Sequence, residues 1–454
     1  MISPGDLRGA AILGGAFVTL LAAAELWRRL GSPRPESTRK LVHLGGGLVC
    51  LFFPFLIESP WVVLAMAAAM TALFALAARF GGLRSLHGVE RRSRGAEYYP
   101  LAIFLVFLLA RGRPFLYVSA VLVLAAADAF AALVGSRYGV VRYEVEDEQK
   151  SLEGSLVFFL VAFLAIHLPT LLLTDLERAV CVLAAVLVAA LVTGFEAISL
   201  RGADNLFVPL AVAVVLGKIT SKPLSEVVFQ SLSLLTICLV VGWVVWRERS
   251  FNAGGAIAFI LFAYGAWSLG NWQWALPVFL GFGLYVAARR LSAARHATGV
   301  KVRTVARALL PPFLLLLLAN AAQAGRALYG PYLAASATVL AAALAAGAVR
   351  LDRLASPSGA LAAGAIGLVA AASTALVPWL AQDTPPAALA GLGLVVVAAT
   401  VTNDLYERRR REAGAERQWT ANRFLLALAA AALVLLAQRL GWLPAWDPSS
   451  MPWR

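Results

Sequence analysis

Charge is scarce in this chain: of 454 residues only 14% are Asp, Glu, Lys or Arg, whereas 61% are hydrophobic. A soluble core cannot hide so large an apolar share, which excludes an ordinary soluble globular enzyme. Cysteine is rare too. Cys50, Cys181 and Cys238 all lie inside apolar runs, with neither the spacing of a zinc site nor the pattern of a disulfide framework. The alternation of barrel strands is missing, and so is any internal repeat. There is no GxxxxGK[ST] loop and no GxGxxG followed by HRD and DFG, so the common ATP sites are absent. No basic stretch precedes the first apolar run, which Arg28 and Arg29 follow; it therefore reads as a retained anchor and not as a cleaved signal.

What the chain does have is apolar runs of roughly twenty residues, the length that crosses a bilayer core. In lipid every backbone amide must be paired within its own segment, so these runs predict an all-α polytopic membrane bundle. In the first half they fall at about 9–27, 41–57, 60–78, 98–110, 115–134, 154–174, 179–199, 205–219 and 224–246, and the second half brings the expected total to about sixteen spans. The net charge of +14 is distributed over alternate loops, among them "RRLGSPRPESTRK", "SRYGVVRYEVEDEQK" and "YERRRREAGAER". That distribution excludes a nucleic-acid-binding surface as its cause. By the positive-inside rule it makes those loops cytoplasmic and places both termini outside. Residues 1–249 carry almost all the acidic and histidine residues at span ends. Residues 250–454 are rich in Ala, Leu and Gly, and they form a second membrane domain, accessory or degenerate.

An ionisable residue in or beside a membrane helix is costly and is a functional candidate by default. Five places qualify, all on the side assigned as cytoplasmic. In "RKLVHLGGGL", Arg39 and Lys40 lie a turn below His43, which is placed to meet phosphate or to accept a proton; the two cations serve equally as interfacial anchors. Glu97 opens the next candidate span. In "DAFAALVGSRYG", Asp128 lies two turns before Gly135, about 10 Å inside the membrane. Gly135 and Gly139 spell a GxxxG packing motif. A carboxylate this deep needs a cation, and Mg²⁺ is suited because it takes one or two carboxylates plus phosphate oxygens. In "KSLEGS", Ser151 can cap a helix whose free amides, with Gly154 and Lys150, would cradle phosphate, while Glu153 could hold a metal or orient a hydroxyl. The plainer reading makes Lys150 a snorkelling lysine and Glu153 a first-turn carboxylate. Finally, Glu196 ends one span, and Asp204 and Asn205 begin the next, where they could share a metal or simply form a turn.

The order RKLVH, GxAE, DxxAxxxGxxxG, KSxEGS and DNxxVPL over residues 35–220 resembles the membrane kinases of isoprenoid alcohols, phytol kinase and dolichol kinase, which are distantly related to phosphatidate cytidylyltransferase. The resemblance implies Mg²⁺-dependent transfer of the γ-phosphoryl group of CTP to a lipid alcohol at the cytoplasmic face. Asp128, with Glu196 and Asp204, would hold the metal. Gly135 and Gly139 would admit the nucleotide, and Lys150, Ser151, Glu153 and Gly154 would bind phosphates with Arg39 and Lys40. Asn205 would complete the nucleotide site, and His43 would take the proton. Phytol kinases often carry a second acid four residues after the first, where this chain has Ala132. Two alternatives stand beside the kinase. A cytidylyltransferase would form a CDP-lipid, but its KD and HGGxxDR signature is absent here; a transporter would spread polar residues over both membrane faces. Residues 251–325 resemble, more thinly, a second membrane family that includes phytyl phosphate kinases. Asn403 and Asp404 in that half read as a helix-terminal cap.

Overall fold

The structure, a computed structural model, describes residues 2–31, 35–80, 95–146, 148–199, 202–291, 299–348, 365–374, 376, 386–412, 421–446 and 448. It divides into two compact units, Met1–Leu232 and Ser233–Arg454. The division falls inside a helix, before the composition boundary near residue 249.

The first unit is built from helices α1 (Pro4–Gly31), α2 (Pro35–Cys50), the single turn α3 (Phe53–Leu56), α4 (Pro60–Phe80), α5 (Gly95–Leu109), α6 (Pro114–Tyr138), α7 (Leu152–Leu172), α8 (Arg178–Ile198) and α9 (Asp204–Ile219), and α10 (Leu224–Glu248) carries the chain into the second unit. Proline marks several starts, as expected where its missing N–H costs nothing: Pro114 opens α6 and Pro60 opens α4. Nine helices among the described residues are long and apolar enough to cross a membrane, and five further apolar helices are shorter. The nine long helices alone fall short of the roughly sixteen crossings expected over the whole chain. One physical reason lies at Leu51–Phe52, where a turn and the following Pro54 cut a continuous apolar run into α2 and α3.

Two departures from a regular bundle shape the first unit. Residues Val123–Ala127 form a π turn within α6, immediately before Asp128. The loop between α6 and α7, taken from sequence as a plain cytoplasmic connection, is an antiparallel hairpin of β1 (Arg142–Val145) and β2 (Glu148–Ser151). Tyr143 pairs with Lys150 and Val145 with Glu148, and Glu146 takes a left-handed φ of 55° at the turn. The hairpin is clamped to α7: Leu152 N donates to Val141 O at 2.8 Å, Val141 N to Glu153 Oε1 at 3.0 Å, and Tyr143 Oη meets Ser155 Oγ at 2.7 Å.

The second unit comprises α11 (Ala253–Leu269), α12 (Trp272–Leu291), α13 (Val302–Ala321), α14 (Gly325–Ala348), α15 (Ala365–Thr374), α16 (Pro386–Glu412) and α17 (Ala421–Arg439). Its centre is α14, whose apolar window is 83% buried where those of the other long helices lie between 22% and 50%. Small residues on that helix let neighbours close in. Its own Tyr329 and Tyr332, fully buried, pack against the buried Trp274 of α12 with rings tilted by 59° and 51°, Tyr329 Oη donating to Gln273 O at 3.2 Å and Tyr332 Oη to Trp274 O. Asn403 and Asp404 do not cap a helix end. They are buried within α16, which continues through "ERRRRE", and the buried Arg423 belongs to α17.

Candidate functional site

A cavity of about 1150 Å³ lies within the first unit, and its wall is charged at one end and apolar at the other. The charged end gathers residues from five places in the sequence: Lys40 and His43 on α2, Asp128 on α6, Lys150 and Ser151 on β2, Glu196 at the end of α8, and Asp204 and Asn205 at the start of α9. All these segments therefore bring their polar ends to the same side of the unit.

The deep carboxylate does have a cation partner. Lys40 Nζ donates to Asp128 Oδ2 at 2.6 Å and to the Asp128 carbonyl at 3.4 Å, across 88 residues of sequence. The side chains are 18% and 26% exposed, so the pair is largely removed from water. The need for a cation at Asp128 is thus met by Lys40 in this structure, an option that spacing did not reveal. Beside the pair, His43 Nε2 lies 3.5 Å from Asp128 Oδ2 and 2.9 Å from the carbonyl of Leu124. A carbonyl can only accept, so Nε2 carries a proton. Leu124 sits in the π turn, where the usual i→i−4 ladder is interrupted and a carbonyl can turn to an outside donor. Tyr99 on α5 holds the imidazole from the other side. Its ring stands edge-on at 5.0 Å between centroids, and its hydroxyl donates to the His43 carbonyl at 3.4 Å.

A second lysine–carboxylate pair completes the charged end. Lys150 Nζ donates to Glu196 Oε1 at 2.7 Å and also to the Glu196 carbonyl, with the two side chains 19% and 15% exposed. Such pairs say little about net stability, because desolvation offsets their attraction. Breaking one by removing a single partner costs about 3 to 5 kcal/mol. Two ammonium groups on one cavity wall, each balanced by a carboxylate, can instead be turned toward an incoming polyanion.

The start of α7 is capped as its sequence suggests: Gly154 N donates to Ser151 Oγ at 3.2 Å. Gly135 and Gly154 line the cavity, and the glycines bring α6 against this cap. A Cβ on Gly135 would lie 2.9 Å from Ser151 Oγ and 3.3 Å from Gly154 Cα, and one on Gly139 would lie 2.7 Å from Ser151 Cβ. Their close approach is therefore to another helix, as in the GxxxG packing reading. Gly139 and Glu153 do not line the cavity; Glu153 Oε1 accepts from Val141 N in the hairpin clamp, while its buried Oε2 has no hydrogen-bond partner among the described residues. The side chains of Arg39 and Glu97 lie outside the described residues. Sequence reasoning did not find Tyr99, Arg142, Gln149 or Ser155 on this wall.

Among the described residues no three His, Cys, Asp or Glu side chains stand close enough to hold a metal by themselves. Asp128, Glu196 and Asp204 nonetheless share the cavity wall, and Mg²⁺ asks for only one or two carboxylates when phosphate oxygens supply the rest. The donor set therefore fits an ion that arrives with a phosphorylated ligand.

Nine helices long and apolar enough to cross a membrane, among the described residues, define an integral membrane protein, and its first unit holds a cavity charged at one end and apolar at the other. The chain is 36% identical over 208 residues to the phytol kinase of Synechocystis sp., an alignment covering 45% of this chain and 87% of that protein. It belongs to the phytol kinase family, as the ordered motifs between residues 35 and 220 indicated. No family model matches the chain, and no solved structure does.

Proposed function

We propose that the first unit is a kinase of isoprenoid alcohols that takes the γ-phosphoryl group of CTP at the cytoplasmic membrane face. The observation that carries the reading is the charged end of the cavity, where two lysine–carboxylate pairs face a capped helix start, in a chain akin to a protein named phytol kinase. Phosphoryl transfer asks a protein mainly to position and to neutralise charge. Lys40 and Lys150 swing from their carboxylates to the phosphates, and the capped start of α7 adds the positive end of its dipole beside them. Asp128, Glu196 and Asp204 would hold Mg²⁺, which neutralises charge building up on the phosphates. Asn205 binds the nucleotide's polar groups.

The alcohol oxygen attacks the γ-phosphorus, the bond from that phosphorus to the β–γ bridging oxygen breaks, and CDP leaves with the electron pair. The hydroxyl proton passes to His43 at Nδ1, because Nε2 is already protonated toward Leu124. Tyr99 keeps the ring in that orientation. The basic character of the loops flanking this end supports a cytoplasmic placement. The full chain in detergent, given CTP, Mg²⁺ and a panel of phytol, geranylgeraniol and a polyprenol, should yield a lipid monophosphate by mass spectrometry. Absence of monophosphate across the panel refutes the reading.

A further inference from the structure

The apolar arm of the cavity has a shape of its own. From Lys40 the wall on α2 continues along one helical face through Gly46 to Cys50, a rise of about 15 Å. Facing it are Gly14 and Phe17 on α1 and Met66 and Met70 on α4. Helix α1 is fastened on both sides of this stretch, and between the fastenings Gly14 leaves open space. Near its start, Asp6 Oδ1 accepts from Glu58 N at 2.8 Å and Ser59 N at 3.1 Å, and Gly9 packs so tightly that a Cβ would lie 2.2 Å from the Leu56 carbonyl oxygen. Further along, Leu21 and Ala24 form a buried cluster with Val42. Between these anchors a Cβ on Gly14 would meet nothing within 4 Å. The result is an apolar channel beside α1 that opens directly onto Lys40, His43 and Asp128.

We propose that this arm holds the hydrocarbon tail of the lipid alcohol, and that Gly14, opposite the two methionines, sets the length and bulk of tail admitted. The assignment rests on the kinase reading for the hydroxyl's destination. An occupant must be amphiphilic, because one continuous cavity offers it charge at one end and only carbon and sulfur along the other. Methionine side chains are unbranched and adaptable, which suits an irregular methyl-branched chain better than a rigid wall would. Pockets select chain length by shape, with each misplaced methylene worth about 1 to 3 kcal/mol.

A geranylgeraniol probe bearing a diazirine at its tail end, photolysed with the full chain in lipid nanodiscs without nucleotide, tests the arm independently of turnover. The expected result is labelling of peptides that contain Phe17, Met66 or Met70, reduced about tenfold by excess geranylgeraniol and not by phosphatidylcholine. Labelling confined to other helices, or displaced equally by phospholipid, overturns the proposal. In parallel, Gly14→Phe should lower the ratio of turnover on geranylgeraniol to turnover on geraniol by about tenfold; an unchanged ratio also overturns it. Arm labelling without phosphate transfer under any condition would defeat the kinase reading alone, and transfer with labelling elsewhere would defeat the arm alone.

Discussion

The two units use similar helices to opposite ends. In the second, α14 is surrounded, and its Tyr329 and Tyr332 pack with Trp274 of α12 at the centre, both tyrosine hydroxyls satisfied by local carbonyls. In the first, helices of the same greasy composition stop short of closing, and the gap is lined by charge. Packing to completion stabilises; leaving a cavity with two ion pairs on its wall forgoes that stabilisation for a site. The difference teaches that the charged side chains singled out in the sequence gather where the first unit leaves a cavity, whereas the second unit is centred on one nearly enclosed helix.

The sharpest way to separate the units is Asp128→Asn, which keeps the shape and removes the charge. It should lower lipid-monophosphate formation about a thousandfold, measured with labelled CTP, because the proposed site puts this carboxylate beside the reacting phosphate. Trp274→Ala should do the reverse: about 3 to 5 kcal/mol of stability lost in detergent denaturation, with the KM for CTP of the folded protein unchanged. A collapse of CTP affinity in that variant would erase the functional contrast between the units. Gly135→Ala sits between these, since its Cβ would press on the Ser151 cap and on Gly154 Cα; a loss of about 1 to 3 kcal/mol is expected from thermal unfolding. Glu153→Gln should cost least, about 1 kcal/mol of stability, through a weaker hydrogen bond to Val141 N. A turnover loss as large as that of Asp128→Asn would return Glu153 to the reaction.

Much of this was legible in the sequence. Apolar run length gave the helices of the first unit nearly where they stand, and the rule that membrane-embedded charge is functional picked out Lys40, His43, Asp128, Lys150, Glu196 and Asp204, which share one wall. The partners were not legible. Nothing in spacing pairs Lys40 with Asp128 across 88 residues, so the carboxylate looked as though it lacked a cation. The π turn and the anchoring of α1 at Asp6 were equally hidden, because spacing within one helix does not reveal contacts between segments. The hairpin was missed for a different reason: its strands are four residues each, too short for alternation to stand out in a charged loop.

The central claim is that the charged end of this cavity moves a terminal phosphoryl group. CTP labelled separately in its α- and γ-phosphates, supplied with geranylgeraniol and Mg²⁺ to the full chain, tests it most directly. The account predicts that γ-label enters the lipid fraction, that α-label remains in CDP, and that Asp128→Asn abolishes the transfer. Appearance of α-label in the lipid with release of pyrophosphate, or undiminished transfer by Asp128→Asn, would contradict it.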